Sequence, residues 1–413
     1  MGVPCIHRGA AVRTLAASDV WKWFRWWHAA PLRLWVFLIA LIAYLASALA
    51  GHAPYDTFVR LASAFLHGRL WVDSNPIVGA VLFDGHSYVT FGFMPAIVSL
   101  PLVLLLGLQA NQAVACAIAA ATGVCAAWVM LGRMRLARRV QVAVTAFFAF
   151  GTAYFWCAAF GSVWQFEHVA GALFAVLGLA EWYGARRPLL LGVLFACMAL
   201  SRLPMALAGI PFAVWLVVDA RKGERAHALA QSLLGALPLV LLYAIYNYGR
   251  WHTFADEGYA LWFHADAAAD RAGIPFQLKF LPANLYGYLI LPPILGNQFP
   301  WLLPHAVGVA LTFTSPALAL AFLAPARSRE TWHLWAAALL AAIPSLLYYQ
   351  NGYEQFGMRH SLDFLPFLLP LVARGLARLE TFFTYALVGF SILANAYGMW
   401  YSWAFHAYSV VPR

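Results

Sequence analysis

Apolar runs of about 17 to 24 residues recur from Leu34 to Ala404, close to the length that crosses a hydrocarbon core of about 30 Å. Of the 413 residues, 63% are hydrophobic and 10% charged, too few charges to cover a soluble fold of this size. The pattern predicts an all-α polytopic membrane protein with about eleven transmembrane helices, the estimate resting on run length.

The net charge of +10 is a topology signal. Of the 26 Lys and Arg, 18 fall in six short segments, 8–33, 133–139, 186–187, 221–225, 327–329 and 374–378, each bordering an apolar run. Cytoplasmic loops of membrane proteins carry this excess. No segment is long enough to build the clustered basic face that nucleic acid requires, so the partners expected are membrane lipids and not nucleic acid. The five cysteines lack metal or redox spacing and read as packing residues. The basic stretch ahead of Leu34 imitates a signal peptide, but the run reads better as a retained first helix.

With 1–33 inside, the first helix leads to an outer segment, 52–110, whose apolar part Phe93–Leu108 is broken by Pro95 and Pro101 and reads as juxtamembrane. The run 188–219 is the most informative. About 30 apolar residues lie between basic segments that must share one side, so the chain goes up and returns. Each arm of about 15 residues gives about 22 Å of helix, a shallow hairpin with Ser201-Arg202-Leu203-Pro204 at its tip. The reading divides the chain into 1–33, a seven-helix module 34–248, a second outer loop 249–303 and C-terminal helices 304–413. Ten of the 16 acids then lie outside, among them Asp56, Asp84, Glu167, Asp256, Glu257, Asp266, Asp270, Glu354 and Asp363. Chemistry is expected on that face, in loops held by a rigid scaffold.

Several groups there are candidates. Tyr55-Asp56 opens an amphipathic helix with Phe58, Leu61, Ala62 and Phe65 on one stripe and Asp56, Arg60, Ser63 and His67 on the other. Asp56 is either a general base at the membrane surface or an N-terminal charge paired with Arg60. Asp84-Gly85 reads as a turn between short strands, with Asp84 a second acid or a turn residue. Arg202, costly in a membrane, is either a phosphate clamp or the structural partner of Glu167 or another outer acid. The stretch 246–259, with Arg250, His252 and Glu257 among aromatics, suits a sugar cleft or an interfacial belt. In 351–366, Arg359 and His360 form either a clamp on an anionic head group or, with Asp363, a helix cap. The histidines have no metal-ligand spacing, and neither a metal nor another cofactor is expected.

As an ordered set, Tyr55-Asp56, Asp84-Gly85, Tyr246-Asn247-Tyr248-Gly249-Arg250 and Arg359-His360-Ser361-Leu362-Asp363-Phe364-Leu365-Pro366 resemble the GT-C superfamily of membrane glycosyltransferases, over about residues 34–378. The resemblance implies transfer of a sugar, a pentose such as arabinofuranose or a hexose, from a polyprenyl-phosphate donor to a glycan, lipid or surface-protein acceptor. It implies inversion, with Asp56 as general base, and Arg202, Arg250 or Arg359 neutralising the leaving phosphate. Members often have two adjacent acids where this chain has Tyr55-Asp56, so a second acid is either Asp84 or absent. The implied location is a bacterial inner membrane with the site on its periplasmic face. A lipid-linked donor needs no nucleotide-binding domain, and no glycine-rich phosphate loop stands out. The rivals are a lipid-linked sugar transporter or flippase, for which no internal repeat speaks, and a lipid-linked glycan ligase.

Overall fold

The computed structural model describes residues 31–48, 55–73, 78–265 and 273–405. Asp266, Asp270, His52 and the basic residues before Arg33 lie outside these segments. The described chain is mainly helical, with two short two-stranded sheets, as suits a chain that must satisfy its backbone polar groups within a membrane.

In chain order, the first helices are α1 (Pro31–Ala48), α2 (Thr57–Leu66), α3 (Met94–Leu106), α4 (Gln112–Arg133), α5 (Arg138–Phe150), α6 (Ala153–Phe160) and α7 (Val163–Trp182). They are followed by α8 (Pro188–Ser201), α9 (Gly209–Asp219), α10 (Arg225–Trp251), α11 (Gly258–Ala265) and α12 (Leu281–Leu289). The last are the single turn α13 (Leu311–Thr314), α14 (Arg329–Leu347), α15 (Leu365–Arg378) and α16 (Phe382–Ala404). By length and composition, α4, α7, α10 with the short turn before it, and α16 are able to cross a membrane. The pair α5–α6, bent by 51°, makes a fifth. Among the described residues α1, α2, α3, α8 and α9 are shorter apolar helices, so several of the about eleven expected helices are short or broken runs. The run 305–324 forms only α13 and a 3-10 segment, Pro316–Leu323, parted at Ser315.

Residues 188–219 do turn back. Arg186, before α8, donates to Asp219, at the end of α9, over 2.9 Å, so both ends of the segment meet. The arms are joined by Arg202 and the 3-10 turn Leu203–Ala208. Helices α8 and α10 cross at two glycines: a Cβ on Gly192 would stand 1.9 Å from the Ser232 carbonyl oxygen, and one on Gly235 would stand 2.0 Å from that of Leu189. Small residues permit such close backbone approach. Most of the apolar length of α10 faces outward, with Leu233, Leu241 and Ile245 exposed, as a lipid-facing helix would be.

The basic turns gather at one end. Arg139 pairs with Glu380, Arg374 with Glu330 and Arg187 with Glu181, joining segments that the charge pattern assigns to one side. At the other end, α2 buries Phe58, Leu61 and Ala62 and leaves Asp56, Arg60 and His67 facing out. Gln112 ties α2 down, accepting from the Phe58 amide at 2.8 Å and donating to the Gly161 carbonyl at 2.9 Å. Strands β1 (Ala80–Phe83) and β2 (His86–Val89) pair antiparallel as a hairpin through Asp84 and Gly85, both in the left-handed region. Such residues fit the tight turn between two strands.

Candidate active site

Arg202 ends α8 in an extended conformation at the hairpin tip. Its Nη1 donates to Glu167 Oε1 at 2.8 Å, its Nε to Asp363 Oδ1 at 3.1 Å, and its Nη2 contacts His360 Nδ1 at 3.0 Å. A guanidinium has no acceptor, so His360 Nδ1 carries the lone pair and the ring proton sits on Nε2. Burial, and then the neighbouring Arg202 charge, holds the imidazole well below its ordinary pKa, consistent with a neutral ring. Asp363 also takes a hydrogen bond from His168 Nδ1 at 3.0 Å and one from the Ser345 hydroxyl at 3.0 Å. Four elements thus converge: α7 brings Glu167 and His168, the tip brings Arg202, α14 brings Ser345, and the turn before α15 brings Arg359, His360 and Asp363.

Two adjoining chambers meet at this network. The larger, about 550 Å³, has a wall of Leu203, Pro204, Leu207, Ile343, Pro344 and Leu347. Leu203 and Ile343 are 45% and 41% exposed, so that wall continues onto the apolar flank of the bundle. The smaller, about 240 Å³, has Trp164, Trp262, Gln350, Tyr353, Glu354 and Arg359. Phe91, Glu167, Arg202, Tyr259, Tyr348 and His360 line both. The hydroxyls of Tyr259 and Tyr348 bond to each other at this junction. Burial raises the pKa of each above the ordinary tyrosine range.

Arg359 differs from Arg202. Its Nη1 donates to the Tyr353 carbonyl at 2.9 Å and to Gln355 Oε1 at 3.2 Å, and its Nε is enclosed without a partner. Among the described residues no carboxylate lies within 4.0 Å of it. Just before it, Gln355 fixes the loop, donating to the Val307 and Asn351 carbonyls at 2.8 and 2.9 Å. Glu354 is held in the left-handed region at φ 51°, strained backbone of the kind that clusters at functional sites.

The structure sorts the expected residues. Arg202, Glu167, Arg359 and His360 come together in the cavity wall. Tyr55 packs edge-on against Trp164, ring centroids 5.9 Å apart, beside the small chamber. Asp56 is not among the residues lining either chamber. Its carboxylate accepts from Arg60 Nε at 2.7 Å, one turn along α2, as the simpler reading anticipated.

Asp84 sits at the exposed tip of the β-hairpin, 3.5 Å from His252 Nε2, itself exposed, and neither lines the cavity. Glu257 is exposed and contributes its carbonyl to the first turn of α11. Arg250 is 1% exposed and lines neither chamber; it donates to the Val89 carbonyl at 2.6 Å and to Asn247 at 2.7 Å, and lies 3.7 Å from Asp256. It stacks on Tyr246 and Trp251, bracing β2 against α10.

Other lining residues had not been singled out for a role in the site. Asp256 and Tyr259 lie in 246–259, which suits a sugar cleft or an interfacial belt, and Glu354 lies in 351–366. Trp164, Trp262 and Tyr348 carried no signal beyond aromatic character.

No family model and no curated protein matches the sequence. Among solved structures, the chain is similar to the crystal structure of ArnT from Cupriavidus metallidurans bound to undecaprenyl phosphate. Identity is 15%, the TM-score is 0.49, and the match covers 85% of this chain and 61% of the length of that one.

Proposed function

We propose that this protein is a membrane glycosyltransferase that takes its sugar from a polyprenyl-phosphate donor and works on the face turned away from the cytosol. The observation that carries the reading is the cavity itself. An apolar chamber continuous with the bundle flank adjoins a polar, aromatic chamber, and a guanidinium without a carboxylate, Arg359, stands in the polar wall. In this reading the first chamber takes part of the polyprenyl chain and the second the sugar, with the phosphate between them.

At that point His360 Nε2, on the wall common to both chambers, offers a hydrogen bond to a leaving phosphate, and Arg359, in the wall of the polar chamber, supplies positive charge. Preorganised donors aimed at developing charge are the largest single contribution to such reactions. Arg202 lies at the same junction, but its charge is already matched by Glu167 and Asp363, so its first role is to hold the site together. The acceptor, a glycan, lipid or surface protein, reaches the polar chamber from outside.

The test is binding of undecaprenyl phosphate to the purified full chain and release of that lipid from a sugar-linked form. Arg359→Ala should weaken lipid-phosphate binding roughly ten- to a hundredfold, the value of one or two hydrogen bonds to a charged group. Release of lipid phosphate that depends on an acceptor supports a transferase. Sugar crossing a vesicle wall with its phosphate bond intact would replace this reading with a transporter.

A further inference from the structure

We infer that Glu354 is the base that takes the proton from the acceptor hydroxyl, an assignment that rests on the transferase reading. The carboxylates in and around the cavity separate by what already holds them. Glu167 gives one oxygen to Arg202 at 2.8 Å and stands where both chambers meet, beside the leaving phosphate. Asp363 is fully buried and bonded to Arg202, His168 and Ser345. Asp256 takes the Tyr243 hydroxyl at 2.5 Å and the Gly258 amide at 3.1 Å. Asp56 is bound to Arg60 outside the lining.

Glu354 alone among the described lining carboxylates has no hydrogen bond and no ion pair. It lines the polar chamber and not the apolar one, so it stands at the sugar end of the cavity. The Gln355 bonds keep its strained backbone in place. A carboxylate without a cation, fixed beside a chamber walled by Trp164 and Trp262, is free to accept a hydroxyl proton there.

In the step, the acceptor oxygen forms a bond to the anomeric carbon as its proton passes to Glu354. The bond from that carbon to the phosphate oxygen breaks, and the phosphate leaves with the electron pair. Water later removes the proton from Glu354. No oxidant, reductant or further reactant is needed.

The experiment uses the full chain in detergent micelles. Undecaprenyl-phosphate-linked glucose, mannose and arabinofuranose serve as donors, and a membrane glycolipid fraction as acceptor. Glu354→Gln should lower turnover by about a hundredfold or more, while binding of undecaprenyl phosphate stays within about threefold, which also shows that the variant is folded. Glu354→Ala should regain part of its turnover when formate is added, a recovery that a merely structural residue would not show. Turnover by Glu354→Gln within about threefold of the parent overturns the assignment. So does a loss that formate leaves unrelieved, or a loss confined to Asp56→Asn. A parent protein that binds undecaprenyl phosphate yet releases none from any donor brings down the transferase reading as well.

Discussion

Replacing Arg202 with Met should destabilise the protein by about 3–5 kcal/mol. The Arg202 side chain is 12% exposed, and its partners Glu167 and Asp363 are 5% and 0% exposed. Methionine fills similar space but leaves two buried carboxylates facing each other with no cation between them. Asp363 keeps His168 and Ser345, whereas Glu167 Oε1 loses its partner. Breaking a buried pair from one side costs about 3–5 kcal/mol. Protonation of one carboxylate limits the penalty, so the lower end is expected at acid pH and the upper end near neutrality. The assay is unfolding of the purified protein in mixed micelles by a rising fraction of denaturing detergent, followed by tryptophan fluorescence. The triple variant Arg202→Met, Glu167→Gln, Asp363→Asn removes all three charges and should recover much of the loss, because the penalty lies in the unpaired charge and not in the missing bond. A loss below about 1 kcal/mol for Arg202→Met, or a triple variant no better than the single one, would show that water reaches these groups and that the network is not buried as described.

Two further outcomes follow from placement alone. Asp84→Asn and His252→Ala should each change the unfolding free energy by less than about 0.5 kcal/mol, because both side chains are exposed and 3.5 Å apart at a hairpin tip; the same detergent titration reads this. Gly192→Val should sharply lower the yield of folded protein, since its Cβ would meet the Ser232 carbonyl oxygen at 1.9 Å and backbone cannot yield as a side chain can; size-exclusion profiles of the solubilised chain check it.

The parts legible in the sequence were those governed by length, periodicity and charge. The Arg186–Arg187 and Arg221–Arg225 segments forced residues 188–219 to turn back, and the Arg186–Asp219 pair shows that they do. The turn between short strands expected at Asp84-Gly85 is where β1 and β2 meet. The broken run at 305–324 escaped, because apolar length does not reveal where Ser315 and Pro316 interrupt a helix. In the site, Arg202 announced itself by the cost of a charge within an apolar run, and Glu167 was named as its simplest partner. What the sequence could not rank was the set of arginines. Arg202, Arg250 and Arg359 look alike in one dimension, and they part only when their neighbours are known: two carboxylates for the first; a carbonyl, an amide, two rings and Asp256 for the second; no carboxylate within 4.0 Å among the described residues for the third. Glu354 stood unranked for the same reason, since freedom from partners is a property of the fold.

On the proposed reading, the charge arrangement explains why two arginines serve a site that holds one phosphate. A cavity bearing a lone buried guanidinium would be costly when empty and would take up any passing anion. Here the Glu167–Arg202–Asp363 group carries one more negative than positive charge with both histidines neutral, and Arg359 offsets it across the site. Of the other described lining carboxylates, Asp256 lies 3.7 Å from Arg250, so Glu354 leaves the cavity one negative charge before a donor arrives. An incoming lipid phosphate meets Arg359 without first displacing a carboxylate from it, while Arg202 keeps Glu167 and Asp363 from repelling that phosphate at full strength. Exchanging the environments of the two arginines would undo both effects: a free Arg202 would strand two buried acids, and a paired Arg359 would leave the phosphate no cation without a carboxylate in the polar chamber.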